Sequence, residues 1–132
     1  MLITAKTSYI RTSPRKLRLV ADAVRHLSPT EALVELKYLN KRAAGPIAKA
    51  LKQAVANAVN NFNLPKDELK LKHLIVDEGP TYKRFQPVSR GRAHSILKRT
   101  SHIKVVLESA EPKAEKKAKV AAVKKGKHGA KS

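Results

Sequence analysis

GPTYKRFQPVSRGRAHSILKRTSHIKVVL, residues 79–107, decides how the rest of this chain is organised. Its 29 residues include Lys83, Arg84, Arg90, Arg92, Lys98, Arg99 and Lys104 and not one Asp or Glu. Tyr82, Phe85, Val88, Ala93, Ile96 and Leu97 are too scattered to build a core, and Gly79, Pro80, Pro87 and Gly91 punctuate the run. At its end, Ile103, Val105 and Leu107 alternate with His102 and Lys104, the period of a half-buried strand. Just before it, residues 69–74 alternate Leu and Lys and then become continuously apolar at Leu74-Ile75-Val76, which reads as a strand passing from a half-exposed to a buried position. A turn centred near Ser89-Arg90 makes the two antiparallel partners and sets Val76 opposite Ile103. The arm 79–89 has eleven residues and at about 3.3 Å each reaches roughly 35 Å, against a radius of gyration of about 13 Å for a domain of this size. The ribbon must therefore project. Pro80 and Pro87 lack ladder donors, so irregular, twisted arms are expected.

Outward from the ribbon, residues 2–10 are rich in Ile, Thr and Tyr and read as a further strand ending at Arg11. Thr12-Ser13-Pro14 starts a helix, with Ser13 as the cap for free amides and Pro14 where its missing donor costs nothing. That helix is expected to run to about residue 27. Leu17, Val20, Ala21, Val24 and Leu27 recur at steps of three and four, and Arg15, Arg18, Asp22 and Arg25 form the opposite stripe. Ser28-Pro29-Thr30-Glu31 has the pattern of a capping box and opens a second helix to about residue 40, with Ala32, Leu33, Leu36 and Leu39 inward. A third helix from Gly45-Pro46 places Ile47, Leu51, Val55, Ala58, Val59 and Phe62 on one face, and its many alanines permit close approach of neighbours. It is the core helix. The sum is an α+β fold of three helices on a small antiparallel sheet of about three strands, residues 1–108, with the projecting hairpin at 79–102.

The formal charge is +19 and the chain has no cysteine. Residues 1–78 hold fourteen Lys and Arg against seven Asp and Glu, and residues 108–132 hold eight against three, so the excess is spread throughout. A polyanionic partner is implied, either nucleic acid or an anionic membrane surface. Residues 109–132, rich in Lys and Ala, cannot bury enough to order themselves and read as a disordered basic tail, transiently helical over 115–125. Neither an apolar leader nor a run near the roughly 18 residues of a membrane span is present, which reads as an unprocessed cytosolic chain. Thiolate metal sites and thiol nucleophiles are excluded. The five histidines show no ligand spacing, no glycine-rich phosphate loop exists, and Asp77 and Glu78, adjacent on a strand, diverge, so neither an enzyme, nor a metal, nor a cofactor is expected. The acidic pair shapes the hairpin base instead.

A solvated edge blunted by Lys and Arg would be shorter and of mixed sign, so the acid-free ribbon reads as phosphate-binding. Tyr82 and Phe85 leave two options open, stacking on bases or packing on their own strand partners. Arg11, Arg15, Arg18 and Arg25, with Lys16 beside them, are either a solvated helix face or phosphate contacts, the latter favoured in a chain this basic. Ser13 stands at a helix N-terminus, where a phosphate is also welcome.

TSPRKLRLVADAVR (12–25), AVANAVNNF (54–62), VDEGPTYKR (76–84) and GRAHSILKRTSHIKVVLE (91–108) together resemble the large-subunit ribosomal protein number twenty-two family, over residues 4–108. RGRA and KRTSHI are the most specific of these matches. The resemblance implies a protein of bacterial or organellar ribosomes in the cytosolic or organellar compartment, without catalytic activity. Its partners would be large-subunit ribosomal RNA and neighbouring large-subunit proteins, with neither a membrane nor a homo-oligomer involved. By motif, Arg11, Ser13, Arg15, Lys16, Arg18 and Arg25 would sit at RNA, as would Lys83, Arg84, Arg90, Arg92, Lys98, Arg99, Thr100 and His102. Tyr82, Lys83, Arg84, Gln86, Pro87, Val88, Ser89, Arg90, Gly91 and Arg92 would face the peptide exit tunnel, near the nascent polypeptide and the site of macrolide antibiotics. A role in subunit assembly follows from contact with several RNA domains. The family usually has arginine and then alanine after the hairpin proline, where this chain has Val88 and Ser89, and His94-Ser95 replaces a more charged pair. A less cationic tunnel surface is implied. Composition alone would equally allow a histone-like DNA-compacting protein working through the tail, or an anionic-membrane binder.

Overall fold

Val76 does lie opposite Ile103, and the strands around that pair form the middle of the fold. The computed structural model describes residues 1–109. The tail expected over 109–132, beyond Ser109 itself, and the helix expected over 115–125 lie outside the described residues. Element order is β1 (Leu2–Ile10), α1 (Pro14–Val24), α2 (Pro29–Tyr38), α3 (Ala44–Phe62), a short 3-10 turn at Lys66–Glu68, β2 (Leu69–Pro87) and β3 (Ala93–Ser109). The sheet is antiparallel in the order β1-β3-β2, so the last strand in sequence is the central one.

α1 and α2 begin where local chemistry starts them and end sooner than apolar periodicity suggests, whereas α3 begins at Ala44, one residue before the expected Gly45-Pro46, and runs to Phe62. α1 stops at Val24 and α2 at Tyr38, not near 27 and 40, and the amides of Leu27 and Leu39 close single turns onto Val24 and Glu35. Ser13 is the α1 N-cap, but its side chain caps nothing; its carbonyl accepts from the Lys16 and Leu17 amides. Ser28 behaves as expected: its hydroxyl accepts from the Glu31 amide, and the Glu31 carboxylate accepts from the Ser28 amide and hydroxyl. α3 ends at Asn63 in the left-handed conformation, with the Asn63 and Leu64 amides bonded back to Val59 and Ala58.

All three helices contribute to one core on one face of the sheet. Leu17, Val20 and Val24 of α1, Ala32 and Leu36 of α2, and Ile47, Leu51 and Val55 of α3 are buried with Ile3, Leu74, Val76, Ile103, Val105 and Leu107 of the sheet. Ala50, Ala54 and Ala58 are buried too, which lets α3 lie close against its neighbours. Phe62, expected on the core face, is 42% exposed because α3 is ending there beyond the edge of the core.

Register shifts account for the remaining departures. On β2, Leu71 pairs with Leu107 and His73 with Val106, so Lys72 is an extra residue. Side-chain parity flips across it: Leu69 and Leu71 face the helices before it, Leu74 and Val76 after it. Ile75 is therefore not buried but 40% exposed, and the continuous apolar run is still a one-sided strand. The hairpin arms are also more regular than expected, pairing from Thr81–Arg99 to Pro87–Ala93, with the turn centred on Arg90 and closed by a Val88 amide to Arg92 carbonyl bond. Arg90 and Gly91 both have positive φ, so the tight turn carries the strain in place of the arms.

Irregularity is concentrated instead at the hairpin's neck. Gly79 and Pro80 oppose the single Thr100 between the Glu78–Ser101 and Thr81–Arg99 pairs, and on the other side of β3 the pairing shifts between Thr7–Ile103 and Ile10–Ser101. Both neighbours of β3 thus bulge against residues 100–102, the kind of irregularity that bends strands and increases their twist. Among the described residues, no helix is long and apolar enough to cross a membrane.

Candidate nucleic-acid interface

β1 ends opposite Ser101, so among the described residues β3 has only β2 as a strand neighbour from Thr100 outward and its other edge is open. The chain leaving β1 turns at Arg11 and Thr12 into α1, and the Ser101 hydroxyl donates to the Thr12 carbonyl at 2.5 Å, fastening that turn to the neck. The Thr100 hydroxyl donates to the Pro80 carbonyl at 2.6 Å and holds the bulge closed. Between the fixed turn, the α2–α3 connection and the open edge lies a cleft of about 1010 Å³.

The cleft wall is cationic on every side. Arg11 and Lys16 come from the turn and the first turn of α1, Lys41 and Arg42 from the α2–α3 connection, and Arg84, Lys98 and Arg99 from the ribbon, with no Asp or Glu among the lining residues. None of these seven makes an ion pair among the described residues, where the pairs are Arg18–Glu78, Arg25–Asp22 and Lys72–Glu108. Ser13 and Thr100 also line the cleft. Such a concentration of uncompensated charge, held by backbone that is itself pinned, raises local anion concentration without a large ordering cost.

The remaining expected contact residues separate into three groups. Arg15 is exposed on α1 outside the cleft, with no partner among the described residues. Arg18 and Arg25 point back at their own fold: the Arg18 guanidinium donates to the Val76 carbonyl at 3.2 and 3.3 Å, and Arg25 donates to the Leu74 carbonyl at 3.3 Å while pairing with Asp22 at 3.0 Å. They clamp α1 to β2, using carbonyls on the β2 edge that no strand covers. His102 is likewise engaged by its own fold, at the neck: its Nδ1 accepts from the Tyr9 amide at 3.0 Å, the two rings meet edge to face, and Tyr9 has a φ of 56°. Thr100 is buried, its hydroxyl engaged by Pro80. The third group, Lys83, Gln86, Pro87, Val88, Ser89, Arg90, Gly91 and Arg92, is exposed along the ribbon to its end.

Tyr82 is half-exposed at the cleft, with the Arg84 guanidinium 5.9 Å from its ring centroid, and Phe85 is exposed beyond it. Packing on strand partners thus does not consume either ring. The sequence had not marked Lys41 and Arg42; the one available signal was two adjacent cations in a connection between helices, and nothing local says that this connection faces the ribbon.

Residues 5–108 match the family described as ribosomal protein L22p/L17e. The chain is 55% identical over 103 residues to the large ribosomal subunit protein uL22 of Mycoplasma capricolum, covering 78% of this chain and 93% of that protein. It is 50% identical over 104 residues to the uL22 of Clostridium novyi, covering 79% and 94%, and 50% identical over 103 residues to that of Pelotomaculum thermopropionicum, covering 78% and 91%. The matched span takes in the three helices, the neck and the whole ribbon, and the chain therefore belongs to the ribosomal protein L22p/L17e family.

Proposed function

We propose that the chain is a non-catalytic constituent of the large ribosomal subunit that binds ribosomal RNA, with the acid-free cleft and ribbon as its principal contact surface. The observation that carries this is the convergence of seven cations, none ion-paired among the described residues, from three separate segments on one cleft at the root of an equally acid-free ribbon. A ribbon of such charge and length is suited to threading between RNA helices whose phosphates neutralise it. Arg15 extends the contact along α1. Arg18 and Arg25 support it from behind by positioning α1.

Of the stretch from Tyr82 to Arg92 expected at the peptide exit tunnel, Tyr82 and Arg84 line the cleft, and the exposed remainder would line the tunnel, where it meets the nascent polypeptide and neighbours bound macrolides. Contact with several RNA segments would also make the protein an assembly factor, and neighbouring large-subunit proteins its other partners. The ribosome is its place in the cell.

Co-sedimentation with large subunits at moderate salt tests the proposal. Lys98→Ala with Arg99→Ala should sharply reduce incorporation, and absence of the unaltered chain from the large-subunit fraction would defeat it. Removal of 110–132 should leave incorporation intact; loss of nearly all nucleic-acid binding on that deletion would favour the DNA-compacting alternative.

A further inference from the structure

The cleft is not lined only by charge. Leu19 is 67% exposed, Leu97 48% and Tyr82 42%, and all three line it above a floor that includes buried Val20 and Ala43. A wall built for phosphates alone has no use for large apolar side chains held open to water, and burying them is favourable at about 25 cal/mol per Å². Duplex RNA cannot cover them, because it presents phosphates and sugars outward and keeps its base faces stacked inside. An unpaired nucleotide presents both an apolar face and a phosphate on each side of it.

We propose that this cleft receives one unpaired nucleotide of an RNA, with its base against Tyr82, Leu19 and Leu97 and its flanking phosphates on Lys16, Lys98 and Arg99. This rests on the RNA-binding function proposed above and names the part of the RNA that enters. The cleft of about 1010 Å³ is large enough to admit a nucleotide. Arg84, already beside the Tyr82 ring, adds a cationic plane to the stacking surface.

The test uses the full chain and two RNA duplexes of identical sequence, one carrying a single bulged 2-aminopurine. The bulged RNA should bind roughly ten-fold tighter, within the range for one base stacked on an aromatic ring, and its fluorescence should be quenched on binding. Tyr82→Ala and Leu19→Ser, both at exposed positions, should each bring the preference toward unity, and Tyr82→Ala, which removes the stacking ring, should abolish the quenching. Equal affinity of the unaltered protein for the two RNAs, or an undiminished preference in both variants, overturns the assignment while leaving RNA binding in place. Failure to bind either RNA would instead overturn the RNA-binding function itself, and this inference with it.

Discussion

Gly79 is constrained by a close approach and not by its backbone angle. A Cβ there would lie 2.5 Å from the Thr100 hydroxyl oxygen and 3.2 Å from the Thr100 carbonyl carbon, and that hydroxyl cannot move without losing its bond to Pro80. Gly79→Ala should therefore lower stability by about 1–3 kcal/mol, read as a fall in the thermal unfolding midpoint. Ser28→Ala should cost about 1 kcal/mol at neutral pH. Its hydroxyl and amide hydrogen bonds hold the Glu31 carboxyl below its usual pKa. A depressed folded pKa gives stability that is fully present above the unfolded value and is lost as pH falls through the folded one. The difference between wild type and Ser28→Ala should therefore shrink on acidification, and the NMR titration of Glu31 should move up in the variant. Ser28 was legible in the sequence because a capping box is a four-residue device. Gly79 was visible only as punctuation, since its partner Thr100 stands 21 positions away.

At the level of elements, α1 has two cationic functions on one helix, and the stripe Arg11, Arg15, Arg18, Arg25 does not reveal which residue has which. Apolar periodicity identified the buried side, because burial follows from helix geometry alone. The destination of an exposed arginine depends instead on what the neighbouring strand offers, here the uncovered Val76 and Leu74 carbonyls. Arg18→Ala should cost about 1 kcal/mol, given the half-exposed side chain, and should lower the unfolding midpoint. Arg15→Ala should leave the midpoint unchanged and weaken RNA binding. Equal thermal effects of the two would contradict this division. The strands were legible for the same reason as the helices, but the extra Lys72, which reverses parity, left no mark that distinguishes it from Lys70 two positions earlier.

For the whole molecule, the prediction concerns salt. Each phosphate contact contributes about 0.7–0.9 to the slope of log affinity against log salt, so Lys98→Ala with Arg99→Ala should reduce that slope by about 1.4–1.8, measured by filter binding on large-subunit RNA. An unchanged slope would remove these side chains from the contact surface. The cleft itself was not legible beforehand: its walls come from residues 11–20, 41–43 and 82–100, and only the closed sheet sets them face to face. The strand order has a further consequence, for the timing of folding. Among the described residues β1, the first strand, pairs only with β3, so Ala5 must wait for Val105, a hundred positions later, before its ladder can form. Loop closure over that distance is entropically costly and slow relative to local helix formation. α1 to α3 and the β2–β3 hairpin, closed by its own tight turn, need only local contacts, whereas β1 can join the sheet only once β3 is in place.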